Sequence, residues 1–286
     1  MAKKVILRSL LIITIILVAI TGYYFVIDRQ SNVPESIKEK VNIETNHFMG
    51  RKVFKLTPKE EKNEKEILYF HGGSYMAELT NNHWEFLANL SNDTKSTVIV
   101  PDYPLAPKST YRNVLNMIEP LYKETIANNG AENVIVMGDS AGAGMALGLL
   151  EKMAINNIKQ PSQTILISPW LDISMSNPKI DKVNDKKLDK NKLYLAGVTY
   201  SRGIEKEEEY VVSPIKGNVD KLKNITIFIG TDDILNPDCY LLQEKAKQEG
   251  VNIEIKEYQK ADHIWIIDNQ DEISKKAYKD LINSIF

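Results

Sequence analysis

The sequence predicts an α/β domain in which helices cover both faces of a mostly parallel sheet. Short apolar runs alternate with segments of helix length, and the runs at 67–70 and 134–137 are continuously apolar rather than alternating. Continuous apolar runs are typical of strands that are buried on both faces, as in a parallel sheet. The alternation of strand and helix along the chain favours the same fold class.

The pattern places the strands and helices of this domain within residues 51–286. Strands are expected at 52–56, 66–70, 97–100, 133–137, 164–168, 226–229 and 252–258. Helices are expected at 82–91, 110–128, 141–155, 237–249 and 271–285.

Three stretches do not fit this alternation of strands and helices. Residues 29–50 are polar and are predicted to be a linker or the start of a cap. The charged run 58–66 lies between the first two strands and is predicted to be a solvated hairpin tip. The interval 172–212 is too long for an ordinary loop, so it is predicted to be a small cap insertion that carries its own helix and covers part of the site.

Residues 1–28 are predicted to be a membrane anchor. Lys3, Lys4 and Arg8 precede an apolar run, residues 10–27, that contains no acidic side chain. As a helix this run would be roughly 27 Å long, close to the ~30 Å of a hydrocarbon core. It is longer than the core of a cleavable signal peptide, and no Ala-x-Ala site follows it, so we interpret it as a single uncleaved transmembrane helix. The cations before it should stay in the cytoplasm, which places the α/β domain outside.

The composition argues against several other classes of protein. Lys and Arg total 36 against 38 for Asp and Glu, a formal net charge of −2, so no electrostatic reason to bind nucleic acid is present. Cys239 is the only cysteine, which excludes an internal disulfide framework and a multi-cysteine metal site.

A sharp turn is predicted around Ser140. The segment Gly138-Asp139-Ser140-Ala141-Gly142 follows an apolar strand directly and opens a helix rich in small residues. Such a turn forces the serine into a strained conformation, and flanking glycines let the strand and the helix approach each other. Ser140 would then present its hydroxyl at the carboxyl end of the sheet.

A second glycine-rich turn follows the strand 66–70. It reads His71-Gly72-Gly73, and two adjacent glycines leave backbone N–H groups uncovered, as an oxyanion requires. The N–H groups of Gly72, Gly73 and Ala141 are therefore candidates for an oxyanion hole. His71 is expected to orient this loop rather than to exchange protons with a substrate.

The serine needs a base and the base needs an acid. A hydroxyl becomes a nucleophile when a neutral imidazole accepts its proton and a carboxylate holds that imidazole. His263 lies after the last strand and before the final helix, which suits the order serine, acid, histidine. Asp232 and Asp233 follow the preceding strand and compete for the acid; Asp233 is preferred, and Asp262, beside the histidine, is a weaker rival.

These motifs resemble, in their order, those of the hormone-sensitive-lipase-like branch of the α/β-hydrolases. The resemblance covers roughly residues 50–286 and rests on the segments 71–75 (His-Gly-Gly-Ser-Tyr), 102–107, 138–142, 168–172, 213–215 and 230–235 and on His263. It implies the α/β-hydrolase fold, a triad of Ser140, Asp233 and His263, and an oxyanion hole built from the two glycines and the residue after the serine. One departure is Ser74, which stands where many members have a third glycine.

The expected activity is that of a serine hydrolase that cleaves carboxylic esters, with short acyl chains, through an acyl-enzyme intermediate. No metal or organic cofactor is implied, and the substrate is a small-molecule or polymer-linked ester. An acyltransferase or a peptidase on the same fold is an alternative, as is a catalytically silent, membrane-tethered binding domain.

Overall fold

The computed structural model describes residues 29–285. The predicted anchor, residues 1–28, lies outside this range, so it stays a prediction. Among the described residues, no helix is both long enough and apolar enough to cross a bilayer.

Eight strands within residues 29–285 form one sheet. They are β1 (Asn42–Phe48), β2 (Arg51–Thr57), β3 (Glu66–Phe70), β4 (Thr97–Pro101), β5 (Val134–Asp139), β6 (Gln163–Ile167), β7 (Ile225–Gly230) and β8 (Ile253–Tyr258). Their order is β1-β2-β4-β3-β5-β6-β7-β8. The pairs β1/β2 and β2/β4 are antiparallel, and the six strands from β4 to β8 in this order run parallel.

In the part of the chain that the structure describes, eight α-helices connect or flank these strands. They are α1 (Glu35–Lys38), α2 (Asn81–Thr94), α3 (Tyr111–Asn129), α4 (Ser140–Ile155), α5 (Lys190–Tyr200), α6 (Asn236–Gln248), α7 (Trp265–Asp268) and α8 (Glu272–Ile285). Short 3₁₀ turns occur at Ala131–Asn133, Ile180–Lys182, Lys206–Val211 and Pro214–Lys216. The described part of the chain therefore has the predicted fold class, a mostly parallel sheet between two layers of helices.

The central strands have two apolar faces because a separate core lies on each side of the sheet. In β3, Leu68 and Phe70 pack into one core, whereas Ile67 and Tyr69 pack into the other. Successive side chains of a strand point to opposite faces, so both faces must be apolar when both are covered. This arrangement accounts for the continuous apolar runs in the sequence.

Two predictions about the start of the domain are wrong. The segment 29–50 is not a linker or the start of a cap, because it contributes α1 and the edge strand β1 to the domain. The run 58–66 is not a hairpin tip, because β4 lies between β2 and β3 in the sheet. A charged stretch looks the same in a hairpin and in a connection that passes over a neighbouring strand, so its composition does not distinguish the two.

The interval 172–212 contains α5 and two of the 3₁₀ turns, so the prediction that it carries its own helix is confirmed. It sits on the carboxyl side of the sheet, where its Tyr200 stacks on Tyr75, with ring centroids 3.7 Å apart. Tyr75 follows the glycine-rich turn after β3. The insertion therefore reaches the loops in which the candidate site residues lie.

Candidate active site

Ser140 lies at the point where β5 ends and α4 begins. Its φ of +51° is in the left-handed region, which is unfavourable for a residue with a Cβ atom. The neighbouring Gly138 and Gly142 allow this geometry. A Cβ atom on Gly138 would lie 2.7 Å from the carbonyl oxygen of Phe70, and one on Gly142 would overlap that oxygen as well. The strained serine and the two close approaches are what the sequence predicted for this turn.

His263 joins Ser140 and Asp233, which are far apart along the chain. Its Nε2 lies 2.9 Å from Oγ of Ser140, and its Nδ1 lies 2.8 Å from Oδ2 of Asp233. All three residues are buried, with 4% of Ser140, 5% of His263 and none of Asp233 exposed. The structure thus brings together a hydroxyl, an imidazole and a carboxylate in one hydrogen-bonded line. Such a line can move a proton from the hydroxyl to the imidazole.

The three candidate acids differ in the groups that they contact. The second oxygen of Asp233 accepts a hydrogen bond from the N–H of Leu235, at 2.9 Å, which helps to hold the carboxylate in place. Asp232 instead accepts from the hydroxyl of Thr231, and Asp262 pairs with Lys187. Only Asp233 of these three contacts the imidazole in the described structure.

The pKa of His263 is raised above its ordinary value of 6.5. Burial is the largest single influence and lowers this pKa. The negative charge of Asp233 and the hydrogen bond to its carboxylate act in the opposite direction, and together with Asp139 and Asp185 they outweigh burial. A raised pKa makes the imidazole a stronger proton acceptor, which suits a general base.

Three residues that were not predicted as site residues hold the loops of the acid and the base. Ser168 Oγ accepts a hydrogen bond from the N–H of Ile264, at 3.1 Å. Lys187 Nζ donates to the carbonyl oxygen of His263, and Asp185 accepts from the N–H of Ile234. Ser168 belongs to the segment 168–172, which is part of the family resemblance. For Lys187 and Asp185, the sequence indicated nothing beyond their position in the cap insertion.

One predicted member of the oxyanion hole is wrong. The N–H of Gly72 donates to Oδ1 of Asp139, at 2.9 Å, so it is not available to an oxyanion. The N–H of Gly73 donates to no acceptor among residues 29–285. Ala141 is the second residue of α4, and the N–H groups of a helix's first turn have no partner within the helix. Of the predicted donors, Gly73 and Ala141 therefore remain.

Asp139 lies directly beneath the serine turn and was not predicted as a site residue. Its fully buried carboxylate accepts hydrogen bonds from the hydroxyl of Tyr69, at 2.7 Å, and from Gly72, and it contacts Nε2 of His83 at 3.3 Å. Burial by itself would raise the pKa of Asp139, but the charge and hydrogen bond of His83 and the hydrogen bond of Tyr69 lower it overall. The ionised carboxylate therefore ties the glycine-rich loop to the end of β5.

His71 orients its loop, in the manner that the sequence indicated. Its ring stacks on Tyr103, with centroids 4.3 Å apart, and its Nδ1 lies 2.7 Å from the carbonyl oxygen of Gly72. Burial, and secondarily the nearby His83, lowers the pKa of His71 to about 4. The ring is therefore neutral at physiological pH and unsuited to donating a proton there.

The described residues contain no cluster of three or more His, Cys, Asp or Glu side chains that could hold a metal ion. The chemistry that the arrangement supports is nucleophilic attack by Ser140, with His263 as the base. N–H groups beside the serine are placed to receive negative charge.

The family model described as "alpha/beta hydrolase fold" matches residues 67–267. An esterase from Acinetobacter venetianus is 29% identical over 195 residues, which are 67% of this chain and 64% of that protein. A crystal structure of a Staphylococcus aureus protein assigned as an esterase superposes with a TM-score of 0.84 at 28% identity, over 90% of this chain and 87% of that one. A hormone-sensitive lipase from a metagenome library has a TM-score of 0.79 at 22% identity, over 86% of each chain, a likeness that concerns the fold.

These comparisons confirm the α/β-hydrolase family that the motifs indicated, and the Staphylococcus aureus neighbour is one that is assigned as an esterase. The chain spans slightly less than two thirds of the Acinetobacter relative. The names of these proteins describe what they do, and the activity of this chain is a separate question.

Proposed function

Because this chain belongs to the alpha/beta hydrolase fold family, we propose that it is a serine hydrolase that cleaves carboxylic esters through an acyl-enzyme intermediate. The observation that carries this proposal is the continuous contact from Ser140 through His263 to Asp233. The esterase names of its relatives support the same reaction class.

In the first half of the reaction, Oγ of Ser140 attacks the ester carbonyl carbon while its proton moves to Nε2 of His263. Asp233 stabilises the resulting imidazolium through Nδ1. The carbonyl oxygen becomes an anion, and the N–H groups of Gly73 and Ala141 stabilise it; the loss of one such donor typically costs about 3 kcal/mol. The tetrahedral intermediate then expels the alcohol, which takes the proton from His263.

In the second half, water replaces the alcohol. His263 accepts a proton from the water as it attacks the acyl carbon, and a second tetrahedral intermediate forms. The bond to Oγ of Ser140 then breaks, the serine recovers its proton from His263, and the carboxylic acid leaves.

The anchor and the outward orientation belong to the proposal. They are supported by the apolar run at 10–27 and by the three cations that precede it. They determine where the reaction takes place rather than what the reaction is.

The proposal is tested with a series of p-nitrophenyl esters of increasing acyl length and the Ser140→Ala variant. We expect wild-type turnover to be highest with short acyl groups and the variant to lose activity by a factor of about 10⁴ or more. Ser284→Ala is a matched control, because Ser284 lies in the last helix, beside the amino end of β6. Equal turnover by wild type and Ser140→Ala would refute the mechanism.

A further inference from the structure

The cap helix α5 is apolar on two opposite faces. Its inner face carries Leu193 and Tyr200, which are buried against the domain. On its outer face, Tyr194 is 48% exposed, Leu195 63% and Val198 50%. Apolar residues on an outer helix face usually indicate a further contact, because a helix at a protein surface otherwise turns polar residues to water.

The three exposed residues form one stripe, which we call the outer stripe. Residues three or four positions apart along a helix are neighbours on its surface, so Val198 lies beside both Leu195 and Tyr194. The exposed cations Lys192 and Arg202 lie on either side of them in the sequence. Apolar residues bordered by cations are typical of helices that lie in a membrane interface.

The charge around α5 also differs from that of the rest of the domain. Residues 179–202 hold seven Lys and Arg and three Asp, a net charge of +4, whereas residues 29–285 hold 33 cations and 37 acids, a net charge of −4. In the acidic run that follows, Glu205 and Glu208 pair with Arg112 of α3. The segment 179–202, rather than the whole cap insertion, is therefore cationic, and a cationic segment on an acidic domain is complementary to an anionic lipid surface.

The position of Arg29 relates this surface to the predicted anchor. Arg29 donates a hydrogen bond to the carbonyl oxygen of Met76 and pairs with Glu78, and the N–H of Met76 donates to the carbonyl oxygen of Gly73. The apolar run ends at Ile27, two residues before Arg29. The Cα atoms of Ile27 and Arg29 are therefore at most about 7.6 Å apart. The loop after β3 must therefore lie close to the end of the predicted span.

The same loop contacts α5. Tyr75 lies between Gly73 and Met76 and stacks on Tyr200 of the cap helix. Arg29 and the cap helix therefore contact the same loop. That loop also carries Gly73, a proposed donor to the oxyanion. The described chain therefore begins on the active-site side of the domain, and the predicted anchor would end on that side.

We propose that the outer stripe lies in the interface of the bilayer that holds the anchor, so that Ser140 receives its substrate from the lipid. The substrate class is then acyl esters that belong to the bilayer or dissolve in it. This inference rests on the proposed ester hydrolysis and on the predicted anchor. It deepens both, because it specifies which face of the enzyme meets the membrane.

The position of the stripe is tested by fluorescence quenching. Leu195→Cys is introduced into the full chain, labelled with an environment-sensitive dye and reconstituted into phosphatidylcholine and phosphatidylglycerol vesicles that contain spin-labelled lipid. The control is Ile155→Cys: this exposed apolar residue ends α4, roughly 22 Å along the helix from Ser140. The native Cys239 is fully buried, so the wild-type chain measures background labelling.

We expect blue-shifted emission and strong quenching by the lipid at position 195, and neither effect at position 155. Unquenched emission at 195 would overturn the inference, whether the stripe is in water, covered by a second copy or covered by another segment of this chain. Equal quenching at both positions would overturn it as well, because the stripe would not be the face that meets the lipid.

A functional arm separates this inference from the proposed function. Turnover of a short-chain acyl ester of a long-chain alcohol, which partitions into the vesicles, is divided by turnover of p-nitrophenyl acetate in solution, for Leu195→Asp and for Ile155→Asp. We expect this ratio to fall several-fold in the first variant only. An unchanged ratio would overturn the inference and leave ester hydrolysis standing, whereas failure of the wild type to cleave either ester would refute the proposed function itself.

Discussion

Asp139 is a variable residue of the Gly-x-Ser-x-Gly motif, so the motif alone does not specify which residue stands there. In this chain its carboxylate accepts from Tyr69 and Gly72 and contacts His83, so it connects β3, the glycine-rich loop and α2 beneath the serine. The hydrogen bond from the N–H of Gly72 makes this donor unavailable to the proposed oxyanion hole. A single side chain therefore both supports the loop and determines which of its donors can face a substrate.

The pH dependence of turnover is a prediction at the scale of one residue. His263 must be neutral to accept the serine proton, and its pKa is raised above 6.5 by Asp233 despite burial. Activity should therefore fall as the pH drops, with the midpoint of the acidic limb of kcat/KM above 6.5. The measurement is the pH profile of p-nitrophenyl acetate hydrolysis.

The Asp233→Asn variant is the control for this profile. Removal of the carboxylate charge should lower kcat by a factor of about 10⁴ and move the acidic limb of the residual activity to lower pH. A profile that is flat from about pH 5 to about pH 8, with the chemical step limiting, would contradict the role of His263 as the base.

At the scale of elements, the turn between β5 and α4 determines where the serine can lie. The helix begins directly at the end of the strand, and the carbonyl oxygens of the β3 loop press against its first turn. Glycine at 138 and 142 leaves room for this approach. The same packing brings the loop that carries Gly73 next to the N–H of Ala141, so the nucleophile and the oxyanion donors are placed by one contact between two elements.

Gly142→Ala tests this contact. The added methyl group would overlap the carbonyl oxygens of Phe70 and His71, which are backbone atoms of a buried loop and cannot move easily. We expect a loss of about 3 kcal/mol in the free energy of unfolding, measured by urea denaturation. Gly203→Ala is the comparison, because this glycine has open space around it and a φ of +77°, so only backbone strain of about 1 kcal/mol is expected. Equal losses in the two variants would contradict the steric account.

At the scale of the whole molecule, the sheet extends beyond its parallel part. The antiparallel strands β1 and β2 form one edge, and the segment before β1 is integrated with the rest of the domain. Ser31 is buried and bonds through both its N–H and its hydroxyl to Asp102, which also pairs with Arg51. The buried Ile37 and Val41 belong to the core on one side of the sheet. The segment from Ser31 to Val41 is therefore part of the folded domain.

Two truncations test the extent of the domain. A chain of residues 29–286 keeps all of these contacts and should unfold cooperatively. A chain of residues 51–286 loses β1, exposes the edge of β2 and leaves Asp102 without the hydrogen bonds of Ser31, so it should melt at a lower temperature and aggregate. The measurement is thermal unfolding followed by circular dichroism. Equal melting temperatures would show that the first segment contributes nothing to the fold.

The sequence by itself determined the parallel sheet, the positions of its seven main strands and the residues that could carry the chemistry. These features depend on local patterns: continuous apolar runs, glycines at strand ends and the order of the motifs. Since parallel strands all present their carboxyl ends at one edge, Ser140, Asp233 and His263 were expected to meet there. Their roles in catalysis remain predictions until the variants are measured.

Only the tertiary structure decided which groups are partners at this edge. The N–H of Gly72 is committed to Asp139, Asp233 rather than Asp232 contacts the imidazole, and the polar segment before residue 50 supplies an edge strand. Each of these outcomes is a competition between groups that lie far apart along the chain. A hydrogen bond forms only when the distance between donor and acceptor falls within a range of a few tenths of an ångström. That distance is set by the assembled strands and cannot be read from the local sequence.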